Sequence, residues 1–273
     1  MERMNDMKKL IAALLVLAMA LTMGGCLRKA DGTLTAAAEN MEKCNSLSYR
    51  MRIDMEGEKD GKSVPLQVEA VSRIMEQEGL MHMSLHMNLA EIPVQMEIYR
   101  QQEGFNSTEY RGTNWGDGME WVRTEGSVLS IASAVPSEDF LKYISEVEKT
   151  EDTLVINGRS CTRYEGAVKG PNLKLLLKLV SLLGDVGSEI SQNLQASLDT
   201  LRIPVTLYLD TQENRIIRIS VDALELLSAS GILEEEMSQC KKMEFSIEYG
   251  DFDAVTDIVI PEEALNAPFE KDN

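Results

Sequence analysis

Between Met81 and Leu89 the chain alternates without a break: Met81, Met83, Leu85, Met87 and Leu89 are apolar, and His82, Ser84, His86 and Asn88 between them are polar. A period of two belongs to a strand with one buried and one wet face, because a helix repeats every three to four residues. The same alternation runs through Leu47, Tyr49, Met51, Ile53 and Met55, through Val64, Leu66, Val68 and Ala70, and through Val94, Met96 and Ile98. The apolar parity switches between Leu89 and Ile92, which requires a turn or bulge near Ala90 and Glu91. Two shorter strands, Phe105 to Arg111 and Met119 to Val122, are joined by the turn-forming GTNWGDG. The series predicts a meander of antiparallel strands.

The strand period also decides what the two histidines do. Four residues apart on a strand, His82 and His86 are separated by roughly 13 Å, whereas a single zinc ion needs both ring nitrogens within roughly 2 Å. They are not a chelating pair. Cys44, Cys161 and Cys240 stand far apart with no CxxC, so the default reading is three separate small core residues and no metal site. GEKDGKS, Gly57 to Ser63, is one residue short of a phosphate-binding loop and precedes an alternating strand, so it reads as a hairpin turn. Asp251 and Asp253 are spaced to face one way as paired carboxylates, but short acidic turns are ordinary in so acidic a chain. No catalytic residues, metal or cofactor are assigned, and the chain is not read as an enzyme.

Other stretches carry helical spacing. Leu34, Ala37, Ala38, Met41 and Cys44 follow a Thr33 cap. Ser137 caps a segment in which Phe140, Leu141, Ile144 and Val147 share a face. From Pro171 to Arg202 the leucines, among them Leu176, Leu179 and Leu183, with Val186, predict one long apolar helix. Strands return around Leu154 to Ala167, Val205 to Leu209, Ile217 to Val221 and Met243 to Tyr249, with an acidic helix-like insertion over 224–239. Strands on both sides of a helical section, without a βαβ rhythm, predict an α+β fold on an antiparallel sheet.

The N-terminus has Lys8 and Lys9 ahead of an uncharged run from Leu10 to Gly25, shorter than a membrane span, and reads as a signal peptide. Met23-Gly24-Gly25-Cys26 resembles the lipobox of bacterial lipoproteins. That resemblance implies cleavage before Cys26 and a diacylglycerol on its sulfur, with residues 1–25 the signal peptide and 26–32 the lipidated tether. Two acyl chains suffice for stable anchoring. The partner is then the membrane, on the extracytoplasmic face of the cell membrane. The chain carries a formal net charge of −18, and residues 1–25 hold Arg3, Lys8 and Lys9 against Glu2 and Asp6, so the part from Cys26 onward carries −19. Such a body is repelled by phosphate polymers, which excludes nucleic acid as a partner.

The order of features after Cys26 carries a further resemblance: a short helix, SLSYRMRIDMEG, a methionine-rich meander, the apolar helical stretch, VTLYLDTQENRIIRI, and IEYGDFDAVTDIVIPEEA near the end. It resembles the surface lipoproteins of Gram-positive bacteria whose fold is similar to the LolA, LppX and LprG lipoprotein carriers. The resemblance implies one domain over 33–273, a strongly curved, unclosed antiparallel sheet with helices on its concave face, and space for acyl chains between the two. In that arrangement Met83, Leu85, Met87 and Met96 face Leu176, Leu179, Leu183 and Val186 across a lipid or other hydrophobic ligand. The other reading is that the same residues pack as solid core in an envelope interaction or sensor module without a small-molecule ligand. Methionine, flexible and polarizable, suits either.

Overall fold

The structure is a computed structural model that describes residues 32–59, 62–89, 92–104, 106–127, 141, 144–169, 200–229 and 240–269. In chain order its elements are α1 (Gly32–Glu42), β1 (Ser46–Lys59), β2 (Lys62–Met75), β3 (Leu80–Leu89), β4 (Ile92–Glu103), β5 (Asn106–Asn114) and β6 (Met119–Ser127). There follow β7 (Ile144–Ile156), β8 (Arg159–Lys169), β9 (Arg202–Asp210), β10 (Ile216–Asp222), α2 (Leu224–Ala229), β11 (Lys242–Gly250) and α3 (Glu262–Leu265). The strands form an 11-stranded sheet in the order β6-β5-β4-β3-β2-β1-β11-β10-β9-β8-β7.

The expected fold class is corrected by this architecture. Among the described residues the protein is mainly one antiparallel sheet, and its helices span only 11, 6 and 4 residues. No long apolar helix packs on that sheet among the described residues, and none is long and apolar enough to cross a membrane. Leu176, Leu179, Leu183 and Val186 lie outside the described residues. The helix expected from Ser137 through Val147 is corrected at its end, where Ile144 and Val147 belong to β7; Leu141 is helical, and 137–140 and 142–143 lie outside the described residues. Strand β7 shifts register against β8 between Ser145 and Glu148 and again between Lys149 and Thr153. Each shift breaks the two-residue alternation, so a bulged strand imitates helical spacing in the sequence. Of the insertion, 224–229 is helical and 230–239 lies outside the described residues.

The chain divides into two compact units, one of Met1–Glu42, Met55–Pro65 and Ser133–Phe245, the other of Lys43–Asp54, Leu66–Ala132 and Ser246–Asn273. In the first, the apolar stripe of α1, Leu34, Ala37, Ala38 and Met41, is buried, and the Asn40 side chain donates to the Asn214 carbonyl at 3.1 Å. Ile203, Val205, Leu207 and Leu209 of β9 alternate inward with Ile217, Ile219 and Val221 of β10, where β-branched residues suit a pleated buried face. Cys161 is buried here, and Cys44, Cys161 and Cys240 form no disulfide among the described residues.

The second unit holds the methionine-rich meander. Leu89 pairs with Ile92, so β3 and β4 are joined across Ala90 and Glu91, the turn that the parity switch requires. The β2–β3 connection needs a glycine. Gly79 has φ +62°, and a Cβ there would lie 2.7 Å from the Gln102 carbonyl oxygen, while Gln102 N–H donates to the Gly79 carbonyl at 2.8 Å. Gly79→Ala is expected to cost about 1–2 kcal/mol from the backbone conformation alone, with a further loss from the clash. A fall in the denaturant midpoint at unchanged slope measures it.

After β11 the chain turns through Asp251 and Asp253, both in the left-handed region at φ 45° and 55°, a conformation that aspartate tolerates better than most residues. Their carboxylates are occupied structurally. The Asp251 Oδ2 accepts from Ser48 Oγ at 2.7 Å, and the Asp253 Oδ1 accepts from the Asn45 N–H at 2.7 Å. The Asp253 N–H donates to the Ser46 carbonyl at 2.7 Å. The acidic pair therefore ties the chain end to the start of β1. Beyond it, α3 packs against β5 and β6.

Candidate functional site

Within the second unit, strands β2, β3 and β4 stand in unbroken antiparallel register, so directly opposed residues share a face. One face reads as four rungs: Val68, Met87 and Val94; Ala70, Leu85 and Met96; Ser72, Met83 and Ile98; Ile74, Met81 and Arg100. The first rung is buried throughout, and so are Ala70, Ser72, Ile74 and Met81. Met83, Leu85, Met96 and Ile98 remain half-buried, and they form one contiguous block because Met83 opposes Ile98 and Leu85 opposes Met96. Of the expected ligand-facing residues, the structure thus brings Met83, Leu85, Met87 and Met96 together on one face. Cys26, like the four residues of the expected helix, lies outside the described residues.

Polar groups border the apolar block. Strand β5 places Arg111 opposite Ile98, Thr113 opposite Met96 and Glu109 opposite Arg100, and Arg100 donates to Glu109 at 2.9 Å. Ser72, fully buried, donates from Oγ to the His82 carbonyl at 2.9 Å, and the Tyr49 side chain bonds to it. Burial holds the Tyr49 hydroxyl above its ordinary pKa despite the Ser72 bond and the Arg100 charge, so it stays neutral. The Tyr249 ring, 6.2 Å from Tyr49, is likewise buried and its hydroxyl pKa raised, first by desolvation and then by Tyr49.

The opposite face carries both histidines and a residue that sequence reasoning missed. Glu97 accepts from His82 Nε2 at 2.7 Å, from Ser84 Oγ at 2.7 Å and from Gln95 Nε2 at 2.9 Å. Burial by itself raises the Glu97 pKa, but the bonds from His82, Gln95 and Ser84 together outweigh it and hold the carboxyl below its ordinary value. Arg73 approaches His82 Nδ1 at 3.2 Å, and since a guanidinium only donates, the imidazole accepts there and donates from Nε2 to Glu97. The ring stacks on Tyr99 with centroids 4.4 Å apart. His86 Nε2 lies 3.0 Å from Ser84 Oγ. The two histidines are therefore linked through Glu97 and Ser84 rather than aimed at one point, as their strand spacing requires. Among the described residues no group of three or more ligating side chains converges on a metal position.

No family model matches the chain, and no curated protein matches it. Among solved structures it is similar to LprF from Mycobacterium bovis, at 12% identity and TM-score 0.46, over 85% of this chain and 95% of that one. It is also similar to a DUF1329 family protein from Desulfovibrio piger, at 11% identity and TM-score 0.26, over 82% and 92% of the two chains. A LolA superfamily protein, NE2245 from Nitrosomonas europaea, is similar at 9% identity and TM-score 0.22, over 85% and 96%.

Proposed function

We propose that the protein is a lipid-anchored extracytoplasmic binding protein that holds a lipid or another hydrophobic molecule against the methionine face of β2–β4. The observation that carries this reading is the half-buried block of Met83, Leu85, Met96 and Ile98 beside the buried Val68, Ala70, Ser72, Met87 and Val94 of the same face. Apolar side chains left partly accessible side by side are a site at which a ligand gains from burial, at about 25 cal/mol per Å² removed from water. The two thioethers adapt to ligands of varied shape. Anchoring is supported by Met23-Gly24-Gly25-Cys26 behind a charged start and an apolar run of secretory length. The rival reading, an interaction or sensor module with no small-molecule ligand, predicts that nothing travels with the protein.

Two results test the proposal. Cys26→Ala should abolish lipid labelling and move the protein from the membrane to the soluble fraction; a variant retained like wild type rejects the anchor. Leu85→Lys should reduce the lipid seen by native mass spectrometry in protein from its host, with a stability change under about 1 kcal/mol, because a lysine stem covers apolar surface while its ammonium reaches water. Met87→Lys, at a position 7% exposed, should instead cost about 2–4 kcal/mol, having no route to water. Wild-type protein free of lipid, with both substitutions equally destabilising, would favour the solid-core module.

A further inference from the structure

We infer that Met83 and Met96 are a reversible oxidation site, and that their conversion to sulfoxides by a peroxide closes the empty methionine face to its ligand. This rests on the ligand-binding reading above and adds the regulation of that site. The thioethers of this face are graded in access. Along β3, Met81 and Met87 are each 7% exposed, whereas Met83 between them is half-buried, and so is Met96 on β4. Met83 opposes Ile98 and Met96 opposes Leu85, so the two methionines stand diagonally on adjacent strands, roughly 7–8 Å apart between Cα atoms. Leu85 and Ile98 complete the same block and carry no group that a peroxide attacks. Of the four half-buried side chains, only the two thioethers have two-electron chemistry.

The step is an oxygen transfer. A sulfur lone pair of Met83 or Met96 attacks one oxygen of hydrogen peroxide, and the S–O bond forms as the O–O bond breaks. The departing hydroxide takes the proton of the transferred oxygen and leaves as water. The sulfur is oxidised by two electrons and the peroxide is reduced. A flexible apolar side chain thereby becomes a polar, chiral one, and a sulfoxide reductase supplied with thiol electrons reverses the change, the oxygen leaving as water. An apolar ligand lying on the block covers the same two sulfurs, so an occupied face is shielded from the oxidant. An oxidised face instead asks the ligand to bury a sulfoxide oxygen without a hydrogen-bond partner. Occupancy and oxidation therefore oppose each other at one pair of atoms.

The test uses the full chain carrying Cys26→Ala, hydrogen peroxide as oxidant and the neutral dye N-phenyl-1-naphthylamine as ligand probe, with peptide mass spectrometry reading each methionine. In empty protein Met83 and Met96 should oxidise about tenfold faster than Met81 and Met87, because susceptibility follows exposure. Dye at about ten times its dissociation constant leaves about one site in eleven empty, so oxidation of Met83 and Met96 should slow about tenfold. Met75 and Met119, half-buried on the opposite face, should not respond to the dye. Protein oxidised at Met83 and Met96 should bind the dye about tenfold more weakly, the cost of one polar group covered without a partner, and methionine sulfoxide reductases should restore the affinity. The volume-conserving pair Met83→Leu and Met96→Leu should bind the dye like wild type and keep that affinity after peroxide. Unchanged dye binding after oxidation, or a double-leucine variant as sensitive as wild type, overturns this inference and leaves hydrophobic ligand binding intact. A loss of binding that comes with loss of the cooperative melt does the same, since the damage is then to the core. Dye that binds without shielding either methionine, or that does not bind unoxidised protein, overturns both.

Discussion

Asp210→Ala is expected to lower stability by about 3–4 kcal/mol, a loss at the upper end of single substitutions. Asp210 closes β9, is only 3% exposed, and sits where the chain reverses through Thr211 to Asn214 into β10. Its Oδ1 accepts from the Gln212 N–H at 2.8 Å and the Glu213 N–H at 3.3 Å, and its Oδ2 accepts from Arg159 at 2.7 Å. One carboxylate therefore caps the turn of its own hairpin and pins it to β8. Alanine leaves two backbone donors without that acceptor and removes one of the carboxylates held by Arg159, leaving it Glu213 at 2.8 Å. Asp210→Asn keeps one acceptor oxygen for the turn but no charge for Arg159, and should cost roughly half as much. The same carboxylate gives a pH signature. Burial raises its pKa, but the Gln212 N–H, Arg159 and the Glu213 N–H outweigh burial and depress it below the ordinary value. A depressed folded-state pKa contributes stability above the unfolded value and loses it as the pH falls through the folded one. Glu97 acts in the same direction. Melts from pH 7 down should show the wild type weakening below about pH 4, and the Asp210→Ala curve should be flatter there. Parallel curves would refute this account.

Deleting residues 262–273 should cost about 3–5 kcal/mol and convert the protein into a self-associating one. Strand β6 stands at one end of the sheet order, and such an edge invites pairing with another chain. The C-terminal segment covers part of it. The Arg123 N–H donates to the Pro268 carbonyl at 2.9 Å, Arg123 and Phe269 form a parallel bridge, and the Arg123 guanidinium lies 3.8 Å from the centre of the Phe269 ring. Helix α3 adds apolar burial through Ala264 at 0% exposure, and Ala267 just beyond it is 6% exposed. Phe269→Ala removes only the cation–π contact of a ring that is 50% exposed and should cost under about 1 kcal/mol. Sedimentation of the truncated chain across a concentration series, beside its thermal melt, separates the outcomes: a monomer melting like wild type means the segment neither caps the edge nor completes the core.

The part of this architecture legible in the sequence is the part governed by a period of two. The strands from Ser46 to Val122 are where alternation puts them, and the switch between Leu89 and Ile92 places the hairpin at Ala90 and Glu91. The same hairpin also sets the register of the two strands. A two-residue turn forces Ser84 opposite Glu97 and His82 opposite Tyr99, so the carboxylate that joins the two histidines was present as a register consequence. The fold class failed where the period is interrupted. Bulges in β7 make Ile144 and Val147 look helical, whereas the strands expected around Leu154 to Ala167 fall in β7 and β8.

The sequence by itself determined which residues share a face, since parity along each strand is a local property of the backbone. It also put His82 and His86 four residues apart on one face of a strand. Only the tertiary structure decided which face of each strand is buried. On β2–β4 it is the face of Met81, Met87 and Val94, whereas on β5 the residue held at 6% exposure is Tyr110, which opposes Tyr99 on the other face, toward the side where α3 packs. The physical reason is that burial depends on what returns to cover a strand, and the covering segment here, 251–269, lies more than a hundred residues further along the chain from the strands it covers. Asp251 and Asp253 show the same division: their spacing is local, but the bonds to Ser48 and Asn45 that occupy them exist only once the two ends of the unit meet.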